Sequence, residues 1–447
     1  MHYPLFCHLS LLRLALPNFI TTLSVPLLSV VDIALAGHMD RIEDLASLAI
    51  ATVLFQLIYW LFGFLRMGTT GTTAQSQSDG VISHQSIKIL LNSGLLAIFI
   101  SLILICFQNP LFNLYYFLVS AEPLTTNLAY SYSSIRILAA PATLLNFVIH
   151  GWYLGVQNAW TPLLLTVFIQ IINIGLNFLF VSILSMGVDG LALATLLAQW
   201  IGLIAAIIHL SNRYKIQKLF LKPTFREVSS ILKNNTDLMI RTALLMLSLH
   251  SITWLATRFG TDQLAASALV LQLMGLLSYG LDGIAVSCES LVGQAVGQND
   301  RIKLWQIIKT GFLWGFILSL IFSLIFLFGL KSLLTLFTDK QHLIALCLEW
   351  KVYVILSPVI CFWCYIWDGV FIGAMRTEAM RNTMFFSSII CYLPSIVILM
   401  PLYEMHGLWS AYLIFMLARG LSLTLIAKRE MNRSINCSDM SYQEISS

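Results

Sequence analysis

Residues 151–155 read Gly-Trp-Tyr-Leu-Gly, and residues 369–373 read Gly-Val-Phe-Ile-Gly, a separation of 218 positions. Met-Gly-Val-Asp-Gly-Leu at 186–191 is followed by Met-His-Gly-Leu at 405–408, and Gly190 and Gly407 are 217 positions apart. Leu-Ala-Ser-Leu at 45–48 precedes Leu-Ala-Ala-Ser at 264–267 by 219 positions. One nearly constant separation of about half the chain indicates a duplication. Among membrane proteins this pattern is typical of transporters whose two halves enclose a substrate path.

The composition indicates a protein that lies almost wholly in a membrane. Hydrophobic residues make up 58% of the chain and charged residues 10%, and the mean hydropathy is +0.84. Soluble domains carry about 25% charge. Between Arg136 and Asp189 there is no Asp, Glu, Lys or Arg, which leaves room for two spans of roughly 20 residues each. Long, unbroken apolar runs favour helices over a barrel, whose strands alternate. We therefore predict an all-α integral membrane protein.

The hydropathy pattern predicts twelve transmembrane helices in two pseudo-symmetric lobes of six. The spans cover approximately residues 11–36, 44–67, 86–108, 127–150, 161–183, 188–210, 234–258, 265–292, 308–330, 348–372, 384–403 and 407–427. The predicted domains are an N-terminal lobe (1–210), a basic cytoplasmic linker (211–233), a C-terminal lobe (234–430) and a cytoplasmic tail (431–447).

Basic residues predict the orientation, because Lys and Arg concentrate in cytoplasmic loops. With twelve spans, the linker and the other basic loops fall on one side, whereas the loop at Asn109–Tyr130 carries only Glu122 and that at Tyr403–Gly407 only Glu404. Both termini are predicted to be cytoplasmic, in the inner membrane of a bacterium. No signal peptide is expected, because no short apolar segment ends in a cleavage site.

Sequence motifs argue against an enzyme. The chain has no HExxH, GxSxG or glycine-rich phosphate loop, so we expect no cofactor and no ATP-driven pump. Cys361 and Cys364 have the CxxC spacing of redox or metal sites, but buried apolar filler is the favoured interpretation. The net charge of +4 reflects basic loops and does not indicate nucleic acid as a partner.

Asp32 is the first candidate for ion coupling, since a carboxylate within a span is costly and usually functional. It lies in the outer half of span 1, after Pro17 and Pro26, which permit that helix to bend. The alternative is an interfacial residue near the helix end, beside Asp40, Glu43 and Asp44.

Three further polar residues are predicted to lie at the depth of Asp32. Asn173 and Asn177 are four residues apart and share a face in the outer half of span 5, and Thr195 lies in the outer half of span 6. Such oxygen-rich groups suit a proton site or a sodium site, and no other metal is expected. The alternative is ordinary hydrogen bonding between helices.

The second lobe has its own acids, Asp282 and Glu289 in span 8 and Asp368 in span 10. Arg241 and His250 lie in span 7, and Arg66 lies at the inner end of span 2. These acids are candidates for a functional role. The alternative is that they pair with the basic residues and lock the lobe.

Several motifs together resemble the multidrug and toxic compound extrusion (MATE) family, and its DNA-damage-inducible protein F (DinF) branch in particular. They are Leu277–Ala285 (LSYGLDGIA), Glu289–Gly297 (ESLVGQAVG), Asp368–Ala374 (DGVFIGA), Val31-Asp32 and Ala36–His38. The resemblance spans essentially the whole chain. It implies two six-helix lobes around a V-shaped cavity, and antiport of organic compounds against H⁺ or Na⁺.

The resemblance also implies roles for single residues. In the DinF branch the span-1 aspartate matches Asp32, the span-5 asparagine Asn173 and the span-6 threonine Thr195. Some members carry a second aspartate where this chain has Asn177, so the lobe here keeps one acid, which favours H⁺ over Na⁺.

The sequence as a whole predicts a secondary active exporter of small organic compounds, cationic or amphipathic, that works by alternating access. A two-lobed chain needs no partner to form its path, so we predict a monomer. Three alternatives are a flippase for lipid-linked precursors, a membrane-embedded enzyme and a scaffold. A flippase cavity calls for more cationic groups than the N-terminal candidates provide.

Overall fold

The computed structural model describes residues 3–37, 41–77, 83–214 and 225–445, and side chains over 7–24, 41, 43–77, 83–214, 232 and 235–435. Every regular element in these residues is helical. The helices are α1 (Tyr3–Gly37), α2 (Ile42–Leu61), α3 (Phe64–Gln75), α4 (His84–Cys106), α5 (Gln108–Val119), α6 (Pro123–Arg136), α7 (Ala140–Gly155), α8 (Trp160–Asn177), α9 (Gly187–Tyr214), α10 (Phe225–Ala256), α11 (Thr261–Gly297), α12 (Arg301–Phe337), α13 (Gln341–Glu349), α14 (Lys351–Gly373), α15 (Thr377–Phe385) and α16 (Leu393–Ile445).

Short irregular turns join some of these helices into longer rods. Single 3₁₀ turns at Ile137–Ala139 and Thr257–Phe259 follow α6 and α10, and wider π-helical turns at Phe178–Ile183 and Phe386–Tyr392 follow α8 and α15. The π turns widen the backbone within the predicted spans 5 and 11, a feature often found at functional sites.

Ten segments of the described residues are long and apolar enough to cross a membrane. The last of them, Thr377–Ile435, has 59 residues, about twice the length that one span needs. It is interrupted at Glu404, whose φ of 51° and ψ of −125° are not helical, three residues after Pro401. With that division and with α1, which has 35 residues, the structure agrees with the predicted all-α fold of approximately twelve spans.

The chain divides into two compact units. The N-terminal unit comprises Ile20–Thr73 and Gly80–Lys233, and the C-terminal unit comprises Met1–Phe19, Ala74–Asp79 and Asn234–Ser447. Helix α1 therefore contributes to both units. The lobe boundaries that the duplication suggests, 1–210 and 234–430, remain a prediction.

The duplicated glycine motif builds a close helix crossing in the N-terminal unit. A Cβ added at Gly151 of α7 would lie 2.4 Å from the carbonyl oxygen of Arg66, and one at Gly155 would lie 2.9 Å from that of Thr70. Small residues spaced by four let two helix backbones approach in this way.

The C-terminal unit repeats this crossing between α14 and α11. A Cβ at Gly369 would lie 2.1 Å from the carbonyl oxygen of Ala285, and one at Gly373 would lie 2.3 Å from that of Glu289. Residues 285 and 289 follow residues 66 and 70 by 219 positions. The duplication seen in the sequence therefore reappears as the same contact in three dimensions.

Each unit has its own apolar core. The N-terminal core includes Phe55, Phe112 and Tyr132, and the C-terminal core includes Trp350 and Trp409. Both cores reach short helices that are not spans, α5 and α13. The loop predicted at Asn109–Tyr130 is therefore wrong in part, because residues 108–119 form a helix too short to register as a span.

Candidate functional site

Three of the predicted coupling residues meet in the N-terminal unit. Asn173 and Asn177, one turn apart on α8, are both buried. Asn177 Nδ2 donates to Asn173 Oδ1 at 2.8 Å, and Asn173 Nδ2 donates to Thr195 Oγ1 at 3.1 Å. Thr195 Oγ1 in turn donates to the carbonyl oxygen of Leu191 at 3.0 Å. We call this series, from Asn177 to Leu191, the polar chain.

The polar chain has a single direction, with every donor pointing towards the backbone of α9. Asn173 is its centre, because its amide accepts from Asn177 and donates to Thr195. Hydrogen bonds linked in this way strengthen one another in a low-dielectric interior. All three side chains are neutral, so the chain offers amide and hydroxyl dipoles without a charge of its own.

A further contact joins α1 to the same helix. Gln170 Nε2 of α8 donates to Ser24 Oγ at 3.2 Å, and Ser24 Oγ donates to the carbonyl oxygen of Thr21 at 2.8 Å. Gln170 lies about one turn before Asn173 on α8. The contact therefore brings α1 alongside the helix that carries the polar chain.

Asp32 and Pro26 lie outside the residues whose side chains the structure describes, although the backbone of α1 is helical through both. Pro17 is described and is buried, in the part of α1 that belongs to the C-terminal unit. The predicted bend of α1 and the role of Asp32 remain predictions.

The C-terminal unit surrounds one of its acids with two arginines. Arg241 of α10 and Arg419 of α16 both donate through Nη2 to the same oxygen, Oδ2 of Asp368 on α14, the second at 2.6 Å. The side chains are 5%, 3% and 13% exposed, respectively. We call these three residues the ionic cluster. It connects three helices and contains two positive charges and one negative charge.

The other acids of the C-terminal half lie on α11. Glu289 is buried, with its backbone against Gly373, and Asp282 is partly buried two turns earlier on the helix. Their roles remain predictions, as does that of His250, which lies on α10.

Comparison with known proteins gives the family of the chain. A family model described as MatE matches residues 17–179 and 238–398. The two matched segments correspond to the two halves of the duplication and together cover well over half of the chain. The chain belongs to the MatE family. Its members are transporters, so the chain is a multi-pass membrane transporter and not an enzyme.

Relatives and solved structures agree with this assignment. The chain is 34% identical to DNA damage-inducible protein F of Escherichia coli over 425 residues, which is 94% of this chain and 92% of the relative. It is 26% identical to human multidrug and toxin extrusion protein 1 over 353 residues, which is 75% of this chain and 59% of that protein. The resemblance to the MATE family and its DinF branch is confirmed.

The fold also matches a solved transporter. The Vibrio cholerae MATE transporter VcmN in the bent form aligns with a TM-score of 0.84 at 17% identity, over 98% of this chain and 99% of that one. With such a fold, the prediction of two six-helix halves is confirmed, and the count of twelve is approximate.

Two intramembrane residues of this MatE chain were missed by sequence reasoning. Arg419 is an isolated arginine in predicted span 12, which is itself a signal of function or pairing. Arg136 lies in predicted span 4, where its guanidinium is 4.8 Å from the ring centroid of Phe55 and donates to the Tyr132 hydroxyl. It is the last charged residue before the long uncharged stretch, and that position could have revealed it.

The cysteines of the CxxC pair are buried and not disulfide-bonded. Cys364 Sγ donates to the carbonyl oxygen of Cys361 at 3.1 Å, and Cys361 Sγ lies 3.7 Å from the hydroxyl of Tyr412. Among the described residues, no group of three His, Cys, Asp or Glu side chains could hold a metal ion.

Proposed function

We propose that this transporter exports small organic compounds, cationic or amphipathic, from the bacterial cytoplasm by antiport against H⁺. The observation that carries the proposal is the polar chain, in which three intramembrane residues form one directed series of hydrogen bonds. The names of its relatives, which refer to multidrug and toxin extrusion and to DNA damage, support the substrate class.

Helix geometry supports a place for Asp32 beside this chain. The contact between Ser24 and Gln170 fixes one level that α1 and α8 share. At about 1.5 Å per residue, Asp32 lies about 12 Å further along α1, and Asn177 lies about 10 Å further along α8. If both helices run outward, as the predicted topology has them, the carboxylate reaches the level of Asn177.

The chemistry at that level favours one proton. A carboxylate within a membrane is costly while it is charged, and a single proton removes that cost. The amides of Asn173 and Asn177 can donate to a charged carboxylate or accept from a protonated one. A second acid, which would favour tight Na⁺ binding, is absent from the polar chain. Na⁺ held by neutral oxygens is the alternative.

The proposed cycle uses the proton to change the shape of α1. In the outward-facing state Asp32 takes a proton, α1 bends near Pro26, and the substrate leaves. Release of the proton to the cytoplasm resets the site. The bias of Lys and Arg supports cytoplasmic termini in the inner membrane, and the two-lobed chain is proposed to act as a monomer.

Transport into proteoliposomes tests the proposal. The purified protein faces an imposed pH or Na⁺ gradient, with a fluorescent organic cation as cargo. We expect uptake driven by the pH gradient, lost in Asp32→Asn and kept in Asp40→Asn, which changes the acid of the interfacial alternative. Uptake that depends on Na⁺ instead would contradict the proton assignment and leave the exporter in place.

A flippase for lipid-linked precursors is the second candidate, and one observation favours it. The ionic cluster places two buried guanidiniums and one carboxylate in the C-terminal unit, and arginine recognises phosphate groups well. Absence of gradient-driven uptake of any cation, together with movement of a fluorescent lipid pyrophosphate between leaflets, would favour this function.

A further inference from the structure

A cavity of about 690 Å³ lies in the N-terminal unit between α5 and the beginning of α6. Its volume falls within the range of small-molecule sites, about 300–1,000 Å³. The side chains around it include Asn113, Tyr116, Phe117, Ser120, Asn127 and Tyr130, and none of its lining residues is charged. Aromatic rings with a few amides and hydroxyls are the usual lining of a binding pocket.

Hydrogen bonds hold the walls of this cavity in place. The buried hydroxyl of Tyr116 donates to the carbonyl oxygen of Ala129 at 2.9 Å and lies 2.6 Å from Ser133 Oγ. Tyr130 donates to Asn109 Oδ1 at 2.9 Å. Burial raises the pKa of Tyr116 to about 12, so its phenol stays neutral at physiological pH.

The backbone at the rim of the cavity adopts an unfavourable conformation. Ser120 ends α5 in the left-handed region, with a φ of 52°, and its hydroxyl donates to the carbonyl oxygen of Phe117 at 2.8 Å. A residue other than glycine in this region costs free energy and persists only where its surroundings hold it. The rim is therefore preformed.

An apolar ridge on α5 adjoins the cavity. Leu114, Phe117 and Leu118 are 60%, 78% and 71% exposed, and their spacing of three and four places them on one helix face. Because α5 connects the membrane spans α4 and α6, this ridge lies at the membrane surface. Such a face buries itself among the acyl chains of the lipids.

The corresponding helix of the second half has no such ridge. In α13, Leu343, Ile344 and Cys347 are buried, whereas Gln341 and His342 are exposed. His342 Nε2 lies 3.7 Å from Asp262 Oδ1 in a pair exposed to solvent. A short connecting helix in this fold can therefore present a polar surface, and the ridge of α5 is a specific feature.

The charges around the cavity restrict the headgroup that it can take. Its lining has no cation to receive a phosphate, and the acid Glu122 lies in the chain between the lining residues Ala121 and Pro123. Amides and hydroxyls both donate to and accept from hydroxyl groups. We propose that this cavity binds the uncharged, hydroxyl-bearing headgroup of a membrane lipid, whose acyl chain lies along Leu114, Phe117 and Leu118. The proposal does not depend on the proposed export.

Photolabelling of the full-length protein in phospholipid nanodiscs tests this site. The probe is octyl glucoside with a diazirine in its chain, used below its micelle concentration, and mass spectrometry locates the labelled peptide. We expect labelling within residues 108–130 that unlabelled octyl glucoside displaces. Octyl phosphate, which has the same chain and a charged headgroup, should displace it at least about tenfold less well.

Variants of exposed lining residues supply the second readout. Asn113→Ala combined with Asn127→Ala removes two amides and should reduce labelling about tenfold, since each lost hydrogen bond costs about 1 kcal/mol. Gln341→Ala on α13 is the matched control and should leave labelling unchanged. Equal displacement by octyl phosphate, full displacement by glucose alone, or undiminished labelling of the double variant would each overturn the proposal.

Discussion

The two halves of this transporter carry opposite kinds of polar contact within the same helical design. In the N-terminal unit, Asn177, Asn173 and Thr195 form a neutral series of hydrogen bonds. In the C-terminal unit, two arginines hold the carboxylate of Asp368. A neutral hydrogen bond contributes about 1 kcal/mol, whereas breaking a buried ion pair costs roughly 3–5 kcal/mol. The first arrangement can exchange partners during a cycle, and the second holds helices together.

The duplication preserved the packing and let the chemistry diverge. The glycine crossings of Gly151 and Gly369 have the same geometry in both halves. The positions 218 residues after Asn173 and Asn177 are Cys391 and Ser395, where Ser395 Oγ donates only to the carbonyl oxygen of Cys391, at 2.6 Å. Close backbone contact constrains a residue to be glycine, whereas a polar side chain can change its role in one half alone.

The largest effect is expected from breaking the ionic cluster. Asp368→Ala leaves Arg241 and Arg419 without their shared carboxylate and should lower the free energy of unfolding by about 3–5 kcal/mol. Thermal unfolding in detergent micelles measures this loss. Glu378→Ala is the control, because Glu378 is 68% exposed and 3.8 Å from Arg381, and such surface pairs contribute about 0–1 kcal/mol. Equal stability of the two variants would show that the cluster does not hold the unit together.

A smaller effect is expected at the glycine crossings. Gly151→Ala and Gly369→Ala each place a Cβ against a backbone oxygen and should each lower the free energy of unfolding by about 1–3 kcal/mol. Gly329→Ala is the matched control, since no atom lies within 4 Å of its added Cβ. Similar losses at 151 and 369 would support equivalent crossings, and a loss at only one position would contradict them.

Removing the centre of the polar chain should cost less stability and more transport. Asn173→Ala breaks the bonds to Asn177 and Thr195 and should cost about 1–3 kcal/mol of stability. We expect uptake driven by a pH gradient to be largely lost at temperatures where the variant stays folded. Ser395→Ala, at the duplicated position, should transport normally. Equal transport by the two variants would remove the functional difference between the halves.

The smallest change in stability, and the finest test of ion choice, is expected from Asn177→Asp. This substitution adds a second acid to the polar chain, and two carboxylates favour a bound cation over a single shared charge. Uptake in proteoliposomes should acquire a dependence on Na⁺ that the unaltered protein lacks. A variant that remains insensitive to Na⁺ would mean that the number of acids does not select the ion.

Local patterns in the sequence predicted a large part of this account. The glycine motifs and their constant separation predicted the two halves, because close helix contact requires small residues. The spacing of Asn173 and Asn177, with the depth of Thr195, predicted residues that the structure joins by hydrogen bonds.

Other features depend on tertiary packing that a sequence pattern does not encode. Arg419 and Asp368 are 51 positions apart, and their pairing depends on how α14 and α16 lie together. Helix α5 was missed because a helix of 12 residues is too short to give the signal of a span. The ridge that it carries became visible only with the exposure of its side chains.

Proton release triggered by substrate tests the division of labour between the halves most directly. Proteoliposomes that contain a trapped pH-sensitive dye would receive an organic cation, with Asp32→Asn and Asp368→Asn compared at equal amounts of folded protein. We expect Asp368→Asn to keep substrate-triggered proton movement and Asp32→Asn to lose it. Proton movement that persists in Asp32→Asn and disappears in folded Asp368→Asn would place the coupling in the C-terminal unit and contradict the account.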